Sequence, residues 1–146
     1  MMTSNLHVIC KIADAEYAIP ANNIFQMESF TGATAIPGAA AYIEGLVQIR
    51  QQIIGVLNMR VRLGLPAITP TLESRVIVVK FGERLVGLLV DSAREVQNIM
   101  PEEFREPPEV VSMQSQGLVK AIAQIKERII ILLDAVKVIG EEGKHV

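Results

Sequence analysis

The fold class is decided by two aliphatic runs in the second half of the chain, Arg75–Phe81 (RVIVVKF) and Leu85–Val90 (LVGLLV). They flank Gly82-Glu83-Arg84, a short glycine-containing connection of the kind that joins two antiparallel strands. Because both runs are almost continuously apolar, we expect them to be central strands of a sheet that is covered on both faces.

Shorter runs of the same character occur along the rest of the chain. Leu6–Ile12 alternates with a period of two, which predicts a strand with Cys10 on its apolar face and His7 on the opposite face. Asn58 is expected to cap a short helical turn that ends at Gly64. Further strands are expected at Tyr17–Pro20, Ile24–Glu28, Ile43–Arg50, Ile53–Leu57, Val96–Met100, Gly117–Ile125 and Arg128–Leu133, with helical turns at Met59–Leu63 and Ala135–Ile139. Many short strands and almost no helix predict small antiparallel barrels rather than a parallel α/β sheet.

Composition supports an aliphatic β-protein and excludes several classes of function. The 146 residues include 18 Ile and 16 Val but no Trp, and they suffice for one domain or two fused small barrels. The net charge of -2, with Lys and Arg scattered singly, argues against nucleic-acid binding. The longest aliphatic run, Ile129–Leu133, is far too short to span a bilayer. A single cysteine and no secretory signal suggest a cytoplasmic, reducing location.

The sequence lacks the residue combinations that catalysis requires. His7 and Cys10 are the one close His/Cys pair, and their separation of three in a strand places them on opposite faces. No metal or phosphate site is therefore expected, and the function should need no cofactor. Asp91 and Asp134 each follow an apolar strand, where capping of a turn or helix is the expected role.

Three arginines are the charges of most interest. Arg50 ends a predicted strand at a tight turn, expected at Gln51-Gln52, while Arg60 and Arg62 belong to the following helical turn. A guanidinium cluster near one end of a barrel would bind a protein partner well, because arginine pairs through two donors and packs through its stem. Simple solvation of all three is an equally open interpretation.

Several motifs, in the same order along the chain, resemble the CheW-like chemotaxis coupling domain. They cover the chain from about Leu6 to Ile139, namely Glu16–Pro20, Ile24–Glu28, Ile36–Ala39, Tyr42–Arg50, Ile53–Leu65, Val86–Ser92, Gly117–Lys120 and Ile129–Asp134. The resemblance implies an all-β fold of two intertwined, SH3-like, five-stranded antiparallel barrels with a short C-terminal helix. Residues 1–146 would form a single domain of two barrel subdomains, with 140–146 as a flexible tail.

The resemblance also implies a function and a set of contact residues. The family couples membrane chemoreceptors to the chemotaxis histidine kinase, so the chain would be a non-catalytic cytoplasmic adaptor, recruited to receptor arrays without entering the membrane. Its partners would be the kinase regulatory domain and the cytoplasmic tip of a methyl-accepting chemoreceptor. The candidate contact residues are Ile24, Gln26 and Met27, Arg50 at the signature arginine, Arg60, and Gly45, Gly87 and Val96 along the receptor groove.

The same comparison yields one conformational expectation and leaves two alternatives. The family usually has glycine after its signature arginine, so Gln51 is expected to have a positive φ. The main alternative to an adaptor is a small-ligand-binding or regulatory β-barrel without an array role, which a deep and closed groove would favour. An enzyme ranks third.

Overall fold

The computed structural model of the protein describes residues 5–140, and this part of the chain is built mainly of strands. The strands are β1 (Leu6–Ile12), β2 (Ala15–Pro20), β3 (Ile24–Ser29), β4 (Ile43–Ile49), β5 (Gln52–Asn58), β6 (Arg75–Phe81), β7 (Arg84–Val90), β8 (Ser92–Asn98), β9 (Phe104–Arg105), β10 (Val119–Ile125) and β11 (Arg128–Leu133). The helices are α1 (Met59–Arg62), α2 (Glu109–Gln114) and α3 (Ala135–Ile139), with 3-10 turns at Ala21–Asn23 and Pro101–Glu103.

The strands form two intertwined sheets, because the first sheet is built from both the early and the late strands of the chain. The first sheet has the order β8-β1-β2-β11-β10-β9, and the second has the order β3-β6-β7-β5-β4. The chain therefore begins in the first sheet, completes the second, and returns to finish the first. This confirms the predicted all-β, SH3-like architecture with a short C-terminal helix. Each sheet also contains one parallel pair, β2–β11 and β5–β7, within otherwise antiparallel pairing.

Buried apolar side chains of the described residues form a core inside each sheet and a third core between the sheets. On β6, Val76 and Val78 face the core of the second sheet, while Ile77 and Val79 face the other sheet. The two-sided burial predicted for this aliphatic run is thus confirmed. The shared core contains Cys10, Ile12, Tyr17, Leu57, Met59, Ile77, Val79, Leu88, Val90, Ala93 and Val138.

Strand β1 is also buried on both faces. This corrects the expectation that only the face with Cys10 is buried. Cys10 is buried as predicted, but Leu6 is exposed and His7 is buried. The His7 ring packs 5.4 Å from the Phe104 ring, and its Nδ1 donates to the carbonyl of Asn5 at 2.8 Å. The opposite face of β1 looks into the core of the first sheet, where Ile9 also lies. Alternation alone does not reveal such a second apolar environment.

One further element differs from the sequence-based expectation, and one predicted region is not described. Helix α2 was not predicted, although Pro108 immediately precedes it, in keeping with the preference of proline for helix starts. Most of the predicted flexible tail, residues 141–146, lies outside the described part of the chain. In residues 5–140, no helix has the length and apolar character needed to cross a membrane.

Candidate functional site

Strand β3 forms an edge of the second sheet and carries three of the predicted contact residues. It pairs with β6 on one side only within residues 5–140. The alternation of the strand turns Phe25 and Met27 outward, with exposures of 45% and 41%, and turns Ile24 against the shared core. Phe25 was not predicted as a contact residue, although its position two residues before Met27 places it on the same face.

Gln26 is held in a specific orientation on this edge. Its Nε2 donates to Oε2 of Glu28 at 2.6 Å, while its Oε1 is buried and has no hydrogen-bond partner among the described residues. Buried polar atoms are nearly always paired, so this unpaired acceptor is an exception among the described residues.

Strand β8 forms an edge of the first sheet and exposes a second apolar area. Val96 is 60% exposed and lies directly opposite Val8 of β1. Leu6 lies on the same face and is 45% exposed. Leu6 is a second residue that the sequence analysis missed, because its strand pattern indicated a buried position.

The predicted arginine lies at the tip of the β4–β5 hairpin, not at the end of a strand. Ile49 pairs with Gln52, so the two-residue turn is Arg50-Gln51 rather than Gln51-Gln52. Both residues have positive φ, 50° and 69°, as a type I′ turn requires. The positive φ expected for Gln51 is confirmed. Arg50 is exposed, and its guanidinium has no hydrogen-bond or ion-pair partner within residues 5–140.

The other two arginines are partly buried and make contacts within the chain, so the three do not form a cluster. Arg60 pairs with Asp91, with Nη2 2.6 Å from Oδ2. Arg62 donates to the carbonyls of Val138 and Lys137, each at 2.7 Å, and thereby holds the end of α3. Arg50 and α1 lie at opposite ends of β5, roughly 20 Å apart. Arg60 is therefore already paired within the fold, and its contact with a partner stays a prediction.

The expected capping roles of the acidic residues are observed, with one addition. Oδ1 of Asp134 accepts the backbone N–H of Lys137 and caps α3. Oδ2 of Asp91 accepts the backbone N–H of Ala13 at 2.9 Å in the β1–β2 turn. Asp91 combines this cap with the ion pair to Arg60. Asn58 caps α1 through the N–H of Val61, as predicted.

Two of the predicted groove residues are buried glycines that serve close packing. A Cβ on Gly87 would lie 2.8 Å from Cγ1 of Val76 and 3.0 Å from Cγ2 of Val56. A Cβ on Gly45 would lie 2.3 Å from the carbonyl oxygen of Thr34. Both glycines are therefore required by neighbours within the fold, which corrects the expectation that they line an exposed groove.

The comparison with known proteins assigns this arrangement to a family. A family model described as a CheW-like domain matches residues 7–143. The chain belongs to the CheW-like family. As a member, it is a non-catalytic adaptor and not an enzyme, and its family function lies in chemotaxis-type signalling.

Individual relatives agree over nearly the whole length. The chain is 28% identical over 143 residues to the chemotaxis protein CheW of Bacillus subtilis strain 168, which covers 98% of this chain and 92% of that protein. It is 29% identical over 133 residues to CheW of Thermotoga maritima, covering 90% of this chain and 85% of that protein. The crystal structure of the scaffolding protein TtCheW from Thermoanaerobacter tengcongensis has the same fold, with a TM-score of 0.85, 24% identity, and coverage of 97% and 93%.

Proposed function

We propose that this CheW-like protein joins the regulatory domain of a chemotaxis-type histidine kinase to the cytoplasmic tip of a methyl-accepting chemoreceptor. It would act in the cytoplasm, recruited to membrane receptor arrays. The observation that carries the proposal is that each sheet exposes apolar side chains on one of its edge strands, Phe25 and Met27 on β3 and Val96 on β8. Two surfaces on different sheets allow an adaptor to hold two partners at once.

The β3 edge suits the kinase regulatory domain, which by the family resemblance is itself a β-barrel protein of the same fold. An edge strand offers unpaired backbone groups in addition to its side chains. Met27 and Phe25 would supply the apolar contact area. Arg50 projects from the same sheet and is free to pair with an acidic group.

The β8 edge suits a helical receptor tip. Val96 and Leu6 form a shallow apolar area on one face of the β1–β8 pair. An amphipathic helix buries its apolar face on such a surface, and burial stabilises the complex by about 25 cal/mol per Å² of apolar area. The backbone of β8 remains accessible for polar contacts at the edge.

The test is calorimetric titration of purified protein with each partner fragment separately. Met27→Lys should weaken binding of the kinase domain at least about tenfold and leave receptor binding unchanged, since an apolar anchor contributes about 2 kcal/mol. Val96→Lys should give the opposite selectivity. Val110→Lys, at a residue on α2 at least as exposed as Met27 and Val96, is the matched control and should change neither affinity.

Arg50→Ala adds a third variant, with kinase binding expected to weaken by about tenfold. Equal affinities for all variants, or absence of binding to either fragment, would contradict the proposal.

A further inference from the structure

A cavity of about 250 Å³ lies between the two sheets beneath α3. Side chains from both sheets, α1 and α3 line it, including Ile12, Met59, Leu88, Leu133 and Val138. Protein interiors contain few voids larger than a water molecule, and an apolar cavity of about 150 Å³ is enough to bind benzene. This space is therefore much larger than ordinary packing leaves.

The interior of the cavity is uncharged. Burial raises the pKa of the Cys10 thiol to about 12 and also raises the pKa of the Tyr17 hydroxyl, so both stay protonated at neutral pH. The charged lining residues are Lys120 on β10 and Asp134, the N-cap of α3. Lys120 and Val136 are exposed, which shows where the cavity reaches the surface. A charged molecule would lose its hydration inside without gaining a partner.

We propose that this cavity binds a small, uncharged, apolar molecule between the two sheets. Benzene has six non-hydrogen atoms, so scaling its cavity of about 150 Å³ to this one gives a ligand of about ten, the size of a two-ring aromatic. Such a ligand would contact the first sheet, the second sheet and α3 together. This site is distinct from the two exposed edges and adds a binding function that the adaptor role does not require.

The chain's single cysteine provides the measurement, because Cys10 lines the cavity and nothing else in the chain carries a thiol. Methyl methanethiosulfonate converts it to the methyl disulfide and releases methanesulfinate. Because the thiolate is the reacting form and the pKa of Cys10 is raised, the rate of this reaction is measured at pH 9. It is followed with increasing quinoline, an uncharged two-ring compound with ten non-hydrogen atoms. The rate should fall saturably, by about tenfold at ten times the Kd. N-methylquinolinium, the same ring system with a fixed charge, should leave the rate unchanged.

Two substitutions test whether the protection of Cys10 by quinoline arises at the cavity. Val138→Phe places a larger side chain at the cavity and should abolish the protection by quinoline, whereas Val110→Phe on α2, outside the cavity, should retain it. If Val138→Phe fails to fold, amide shifts of the unmodified protein replace it, and quinoline should then shift α3 and β11 but not α2. Unaltered Cys10 reactivity, equal protection in Val138→Phe and Val110→Phe, or shifts centred on α2 would overturn the proposal.

Discussion

Arg60 and Asp91 form an ion pair that joins the two sheets where the chain crosses between them. Nε of Arg60 lies 3.0 Å from Oδ1, and Nη2 lies 2.6 Å from Oδ2. Arg60 follows β5 of the second sheet, and Asp91 is the residue between β7 and β8. Because Oδ2 also accepts the N–H of Ala13, one carboxylate connects both sheets.

Removal of this arginine should weaken folding. Arg60→Ala leaves the partly buried Asp91 carboxylate without its guanidinium, so we expect a clear fall in Tm by scanning calorimetry. Arg50→Ala is the matched control, because Arg50 is exposed and has no partner within residues 5–140, and its Tm should stay within experimental error. Equal shifts in the two variants would show that the Arg60–Asp91 pair has no structural role.

The hairpin turn should be stabilised by a glycine. Gln51 has a φ of 69°, a conformation that costs an ordinary residue about 1 kcal/mol and costs glycine very little. Gln51→Gly should therefore raise the free energy of unfolding in urea by about 1 kcal/mol. Gln48→Gly, in the extended part of β4, should lower it by about 0.5–1 kcal/mol. A loss of stability in Gln51→Gly would indicate an ordinary backbone conformation at this turn in solution.

Cys10 should contribute to the core and not to partner binding. It is 2% exposed and belongs to the core between the sheets. Cys10→Ser buries a hydroxyl group there and should cost about 1–3 kcal/mol of stability, whereas Cys10→Val keeps the site apolar and should cost less than about 1.5 kcal/mol. Partner affinities of both folded variants should match those of the unmodified protein. Loss of affinity at unchanged Tm would assign Cys10 a direct role in binding.

Acid should weaken the link that joins β11 to β8 and β2 in the first sheet. Arg128 of β11 donates to Glu95 of β8 and Glu16 of β2, and its hydrogen bonds, with that of Gln97, lower the pKa of Glu95 from 4.5 to about 2. A carboxyl group with a lowered folded-state pKa stabilises the protein above pH 4.5, and this stabilisation is lost as the pH falls towards 2.

Measurement of Tm between pH 6 and pH 2 checks this dependence, with Glu95→Gln as the comparison. The unmodified protein should lose more stability below about pH 4.5 than the variant, because the variant has no carboxyl group to protonate at this position. Parallel pH profiles would contradict the assigned cause. Since Glu95 is partly exposed, the difference should shrink in high salt.

Features set by neighbours in the sequence could be predicted without the structure. The aliphatic run at β6 indicated burial on both faces, because Val76–Val79 contains no polar residue. The cap formed by Asn58 depends on one helical turn. The positive φ of Gln51 depends on one hairpin, although it was the family resemblance that implied it. In each case the residues that determine the conformation lie within a few positions of it.

Features set by distant parts of the chain could not be predicted. The Arg60–Asp91 pair joins residues 31 positions apart, and no local pattern distinguishes Arg60 from the free Arg50. Gly87 is buried because Val56 and Val76 come from other strands, and sequence alone did not show which strands those are. The exposed Phe25 was missed for a different reason, since an edge strand and a central strand have similar patterns.

The measurement that tests the account most directly is sedimentation of this protein with both partner fragments present together. The account predicts a three-component complex containing this chain, the kinase regulatory domain and the receptor tip, because the β3 and β8 edges belong to different sheets. Met27→Lys should release the kinase domain and leave the protein bound to the receptor tip. Val96→Lys should release the receptor tip and leave the protein bound to the kinase domain. Displacement of one partner by the other from the unmodified protein would contradict the claim of two separate binding surfaces.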